Sequence, residues 1–120
     1  MKRYGRTPGR VTGFAARTTG RRTLQLSFRV AGTSGSKAPA ARSYVIKQSS
    51  RRIVGARGFS RAHSLCKGHC SFEVTRLDAT VQLNIVNLRR HHTYYYAVRA
   101  RDNVSGRTGP RSATIKARTR

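Results

Sequence analysis

The chain has 120 residues, 37% of them apolar, and carries 26 Lys and Arg against three acids for a formal charge of +23. That is one domain with a small two-layer core. Its acids, Glu73, Asp78 and Asp102, lie apart in sequence, which argues against paired-carboxylate catalysis, and no run of 18 apolar residues is present to cross a membrane as a helix.

Residues 1–10 set Lys2, Arg3, Arg6 and Arg10 among Gly and Pro and read as a flexible basic tail, so the folded domain is expected over residues 11–120. No apolar stretch of signal-peptide length follows the basic start. Two expectations stand: a piece of a longer secreted precursor, or a chain that stays in the cytoplasm.

A short strand is expected over residues 11–16, with Val11 and Phe14 as its apolar contacts, followed by a turn over 18–22. Residues 23–30 form a strand with Leu24, Leu26, Phe28 and Val30 inward and Gln25, Ser27 and Arg29 outward. The Gly/Ser-rich stretch 31–40 reads as a flexible loop. A strand over 42–49 follows, with Tyr44 and Ile46 inward and Val45 and Lys47 outward. Residues 52–54 read as a brief strand interrupted by Gly55 and Gly58. Phe59, Ala62 and Cys66 then share a side at helical spacing, so one short helical insertion is expected around residues 59–66.

Residues 70–76 return to strand and turn at Asp78-Ala79. The stretch from Thr80 to Asp102 organises the whole chain: Val81, Leu83 and Ile85 alternate with Gln82, Asn84 and Val86. After a basic corner, Tyr94, Tyr96, Val98 and Ala100 alternate with Tyr95, Ala97, Arg99 and Arg101. Residues 103–110 are a loop and 111–119 a last strand, with Ala113, Ile115 and Ala117 opposite Thr114, Lys116 and Arg118. Strict two-residue alternation, rich in aromatic and β-branched side chains, marks half-buried antiparallel strands. The expected fold class is therefore all-β: a seven- or eight-stranded antiparallel β-sandwich of immunoglobulin-like type.

From about Pro8 onward these residues resemble a fibronectin type III module. In that family the second-to-last strand opens on Leu, Pro, Thr and Tyr at two-residue steps and continues with alternating apolar residues ending in Ala; here Leu88, Tyr94, Tyr96, Val98 and Ala100 match, while Arg90 and His92 stand at the Pro and Thr positions. Phe28 stands where the family usually has a Trp, Tyr44 matches its third-strand Tyr, and GPRSATIKART resembles its last loop and strand. The stretches ARSYVIKQS, CKGHC and YYYAVRARDNVSGRTGPRS are most similar to modules appended to secreted bacterial proteins. The resemblance implies a tyrosine corner, in which the Tyr94 hydroxyl bonds backbone a few residues upstream.

Cys66 and Cys70 lie four apart with His63 and His69 interleaved. A local disulfide is the stronger reading, and it places folding in an oxidising compartment. A zinc site of His63, Cys66, His69 and Cys70, or free thiols, are the alternatives. His91 and His92 beside Arg89 and Arg90 read as a solvated corner. No nucleophile elbow and no phosphate-binding Gly loop occurs, so no enzyme, no catalytic residue and no cofactor is expected. Asn103-Val104-Ser105 is a formal glycosylation sequon, and no Arg-Gly-Asp tripeptide is present to suggest integrin-type adhesion.

Family topology would set the outward positions Val45, Lys47, Tyr95, Arg99, Arg101, Lys116 and Arg118 on one sheet. They form a candidate anion-binding face; the other sheet's outward residues are mostly neutral. The expected function is a non-catalytic, monomeric extracellular spacer or interaction module whose partners are neighbouring domains of a larger polypeptide or anionic cell-surface polymers such as those of the cell wall. The alternative is a basic protein binding nucleic acid non-specifically through phosphate contacts, although no basic helix or aromatic stacking motif is evident.

Overall fold

The computed structural model describes residues 8–34, 37–73, 77, 79–102 and 107–120. Among these residues ten strands form, in the order β1 (Thr12–Thr18), β2 (Leu24–Arg29), β3 (Gly32–Ser34), β4 (Lys37–Ala40), β5 (Ser43–Ser49), β6 (His63–Ser64), β7 (Cys70–Ser71), β8 (Thr80–Ile85), β9 (Thr93–Arg101) and β10 (Ile115–Arg118). An α-helix, α1 (Gly55–Arg61), sits between β5 and β6. Seven of the ten strands have four residues or more; the other three have two or three each. One sheet runs β1-β2-β8 and the other β10-β9-β5-β6, with β7 also paired to β5; β3 and β4 make a separate hairpin. Every pairing is antiparallel.

Alternation explains the layers. On β2, Leu24, Leu26 and Phe28 are buried and stand opposite Ile85, Leu83 and Val81 of β8. The facing sheet supplies Tyr44 and Ile46 from β5 and Tyr94, Tyr96, Val98 and Ala100 from β9, all buried. Phe28 meets the Tyr44 ring edge-on at 4.8 Å, and Phe14 and Phe72 each approach it at 6.0 Å. Such offset and edge-on contacts are the favourable ones for aromatic rings. The Tyr44 hydroxyl donates to the Ala41 carbonyl at 2.8 Å and accepts the Ala31 N–H at 3.0 Å. A buried phenol thereby spans the base of the β3–β4 hairpin, across which the Ala41 N–H also donates to the Ala31 carbonyl at 2.7 Å.

Several expectations need correcting. Residues 32–34 and 37–40 pair as a hairpin, where composition suggested a flexible loop. No strand forms at 52–54; Ile53 is buried instead in a second small core with Phe59 and Ala97. The helix lies earlier than expected, over Gly55–Arg61 rather than 59–66, because Gly55 turns the chain at φ +67° and Ala62 is already extended. Residues 65–68 are a tight turn in which Cys66 and Lys67 both have positive φ, so Cys66 shares no helix face with Phe59. Strand β7 covers only Cys70–Ser71, and residues 74–76 of the expected strand lie outside the described residues. The last strand starts at Ile115: ahead of it the Ser112 N–H bonds the Val98 carbonyl while its hydroxyl accepts the Val98 N–H, and Ala113 is exposed.

Candidate anion-binding surface

Strand register sets the expected face out residue by residue. Across β5, β9 and β10, Lys116 stands opposite Tyr95, Arg118 opposite Thr93, Arg99 opposite Val45, and Arg101 opposite Ser43. They point away from the sandwich interior, but the face is not open. The segment after β5 folds back over it, and Ile53 and Phe59 pack on Ala97 with Val45, Ala62 and Tyr95 around them.

Lys47, one of the expected anion-binding residues, is therefore buried, at 9% exposure. Its ammonium donates to the Ala62 carbonyl at 3.2 Å and the Ser64 hydroxyl at 2.7 Å, and lies 5.6 Å from the Phe59 ring centroid. The Arg99 guanidinium stands at the same 5.6 Å from that ring, and its Nε–H donates to the Gly109 carbonyl at 2.7 Å. Both cations face the Phe59 ring of the insertion, and Lys47 also holds it through the Ala62 carbonyl, while Arg99 ties the sheet to the loop before β10. Tyr95 and Arg101 are half-buried, and of the set only Lys116 and Arg118 are exposed. The structure thus divides the expected face, with its centre covered.

The larger gathering of charge is at one pole of the sandwich. Tyr94 and Thr119 build its floor. The Arg89 N–H donates to the Tyr94 hydroxyl at 2.8 Å, five residues upstream. The Thr119 hydroxyl donates to the Arg89 carbonyl and accepts the His92 N–H at 3.0 Å. Turn residues Asn87 and His91 adopt positive φ there. His92 packs on the Tyr94 ring at 4.6 Å, and its Nε2 lies 2.9 Å from the Ser50 hydroxyl.

Around that floor, main-chain bonds tie several turns together. The Leu88 N–H donates to the Arg22 carbonyl at 3.0 Å, the Arg120 N–H to the Gly20 carbonyl at 3.5 Å, and the Thr18 hydroxyl to the Arg118 carbonyl at 2.7 Å. The result juxtaposes three Arg-Arg pairs: Arg21-Arg22 between β1 and β2, Arg51-Arg52 just past β5, and Arg89-Arg90 between β8 and β9. All six are exposed, as are Arg118 and Arg120. Sequence reasoning missed this set. The doublets themselves were visible, and they are the only Arg-Arg dipeptides in the chain; their proximity was not.

Two of the three acids lie among the described residues, and both sit at the other end. Asp102 follows the far end of β9, and Glu73 follows β7, which pairs with the start of β5. Eight strand steps from Thr93 to Arg101 at ~3.3 Å each put Asp102 roughly 25 Å or more from the corner. That is several Debye lengths at physiological salt, so it does not neutralise the pole.

Cys66 and Cys70 form a disulfide with S–S 2.03 Å. With both sulfurs in that bond, the zinc alternative loses its thiolates and leaves His63 and His69 as two exposed imidazoles. Among the described residues no group of three or more His, Cys, Asp or Glu is placed to hold a metal ion. Asn103 and Ser105 of the sequon lie outside the described residues.

No protein-family model and no curated protein matches the sequence. The likeness is to solved structures, several of them fibronectin type III domains. The FN1–FN3 domains of chicken CNTN1 superpose with a TM-score of 0.62 at 18% identity over 92% of this chain. The chain spans 32% of that three-domain structure. The third fibronectin III domain of human KIAA0343 protein gives a TM-score of 0.61 at 11% identity, covering 99% of this chain and 90% of that one. The FN5 domain of Drosophila Lar gives 0.52 at 21% identity, covering 93% and 96%. The fold is therefore that of the fibronectin type III domains.

Proposed function

We propose that this chain is a non-catalytic interaction module that works outside the cytoplasm, as one unit among neighbouring domains, and holds an anionic cell-surface polymer by charge. The observation that carries the reading is the exposed arginine pole, at the end of the sandwich remote from Glu73 and Asp102. Three carboxylates can neutralise only a few of 26 cations, so most arginines have solvent and mobile counter-ions as partners. Three further observations support it. The interior is filled by side chains such as Tyr44, Tyr96 and Phe28. The disulfide suits an oxidising compartment. The chicken structure contains three such domains in one chain, as a spacer would. Among the described residues no helix is long and apolar enough to cross a membrane. The resemblance of ARSYVIKQS and CKGHC to modules of secreted bacterial proteins makes cell-wall polymer the first partner to test.

The test is a binding titration against anionic cell-wall polymer and against nucleic acid over a range of salt. Retention of the cell-wall polymer at about 0.15 M salt, with nucleic-acid binding gone by then, is the expected result. Nucleic-acid binding that persists there with a steep salt slope, while cell-wall polymer does not bind, would replace this reading with the phosphate-contact alternative.

A further inference from the structure

Three turns that are distant in sequence each carry one Arg-Arg pair, and the fold sets all three at one pole. Chance placement of basic residues does not require this. Twenty-one of the 26 cations are Arg and five Lys, so single arginines are spread everywhere. Doublets are not: Arg21-Arg22, Arg51-Arg52 and Arg89-Arg90 all lie within the same network, through the bonds of Leu88 to Arg22, His91 to Arg120 and Ser50 to His92. These bonds use main-chain atoms and the side chains of Ser50 and His92, leaving the guanidinium groups of the doublets exposed.

We infer that the three doublets form one binding site for a flexible phosphodiester polymer that carries no bases, each doublet gripping one phosphate of the chain. The guanidinium fork matches two oxygens of a tetrahedral oxyanion, and two adjacent forks hold it from two sides. The described tyrosines speak against bases as part of the ligand: Tyr44, Tyr94 and Tyr96 are buried and Tyr95 half-buried, so none of these four offers the pole an exposed stacking surface. Nor does a helix or ribbon project from the described residues of the pole to enter a duplex groove. A flexible backbone can reach three anchors held rigidly on three turns, which a stiff duplex does only if its phosphate spacing happens to agree. This inference rests on the polyanion reading above and adds a place and a chemistry to it.

The experiment compares wild type, R21Q/R22Q, R51Q/R52Q and R89Q/R90Q with R10Q/R29Q. The last removes the same charge from exposed positions at the opposite end, since Arg29 closes β2 beside Thr80. All five chains keep the main-chain bonds of the corner. Probes are poly(glycerol phosphate) and single-stranded DNA of matched charge, with Kd measured against NaCl concentration. Each pole variant is expected to bind poly(glycerol phosphate) about tenfold more weakly, as two exposed ion pairs are lost. Its log–log salt slope should flatten by about 0.7, the share of the one phosphate a doublet holds, while R10Q/R29Q stays near wild type. Equal losses in R10Q/R29Q and the pole variants would overturn the site and leave general polyanion binding standing. Tighter binding of the DNA by wild type would overturn the base-free ligand. Binding of neither polymer by wild type would remove the polyanion reading itself, and with it the site.

Discussion

Tyr44 shows how much one side chain decides. It is wholly buried, yet its hydroxyl has both a donor and an acceptor partner on the main chain. Burial pushes its pKa up to about 12, with the Ala31 backbone bond opposing the rise. Tyr96 is pushed up as well, by burial first and by neighbouring Tyr94 second. In the unfolded chain both ionise near the ordinary value of about 10. A group whose folded pKa is raised contributes stability that is complete below its unfolded pKa and is lost as pH climbs through its folded one. The urea midpoint is thus expected to hold below about pH 10 and to fall between about 10 and 12. Tyr44→Phe should lower the starting stability, because two main-chain groups lose a buried partner, and should make that alkaline fall shallower. An unchanged fall in the variant would remove Tyr44 as its cause. The alternation of Tyr44 with Val45 was legible; the partners of its hydroxyl, on a hairpin that composition had marked as a loose loop, were not.

At the scale of elements, the insertion between β5 and β8 changes what a sheet face means. Helix α1 has only seven residues and no side-chain N-cap bond, too short to persist unaided. What holds it is Phe59, 5% exposed, seated on Ala97 with Ile53 and flanked by Lys47 and Arg99. Phe59→Ala should cost about 3 kcal/mol in urea unfolding and speed amide exchange through Gly55–Arg61 while leaving β2 and β9 protected. A cost below about 1 kcal/mol would show that the second core contributes little. Lys47 read as an outward cation because parity along β5 is a local property. Whether an outward position is wet depends on what another segment lays over it, and no periodicity within β5 carries that information. Phe59 as an apolar anchor was legible; its helix boundary was not, since Gly55 and Gly58 read more naturally as interruptions than as helix residues.

At the scale of the whole molecule, a charge of +23 over 120 residues works against compaction. Salt should therefore stabilise this protein: the urea midpoint is expected to rise between about 0.02 and 0.2 M NaCl as the Debye length shortens. A flat or falling response would mean that the cations are already paired. Polyanion probes should stabilise it further in proportion to the occupied site.

The sequence alone determined the sandwich, because two-residue alternation in 24–30, 43–49, 80–85 and 93–101 states which side of each strand meets the core. It also marked the Cys66–Cys70 pairing and the Tyr94 corner, both of which join residues within five positions of each other. Only the tertiary structure decided where charge is usable. Antiparallel pairing sets the end of β1, the start of β2, the end of β5, the end of β8 and the start of β9 at one pole. Three Arg-Arg pairs separated by some thirty residues or more thereby become neighbours, while Lys47, an exposed cation by local pattern, disappears under a helix. Local steric preference is written in neighbouring residues; proximity across a fold arises only when the chain closes on itself.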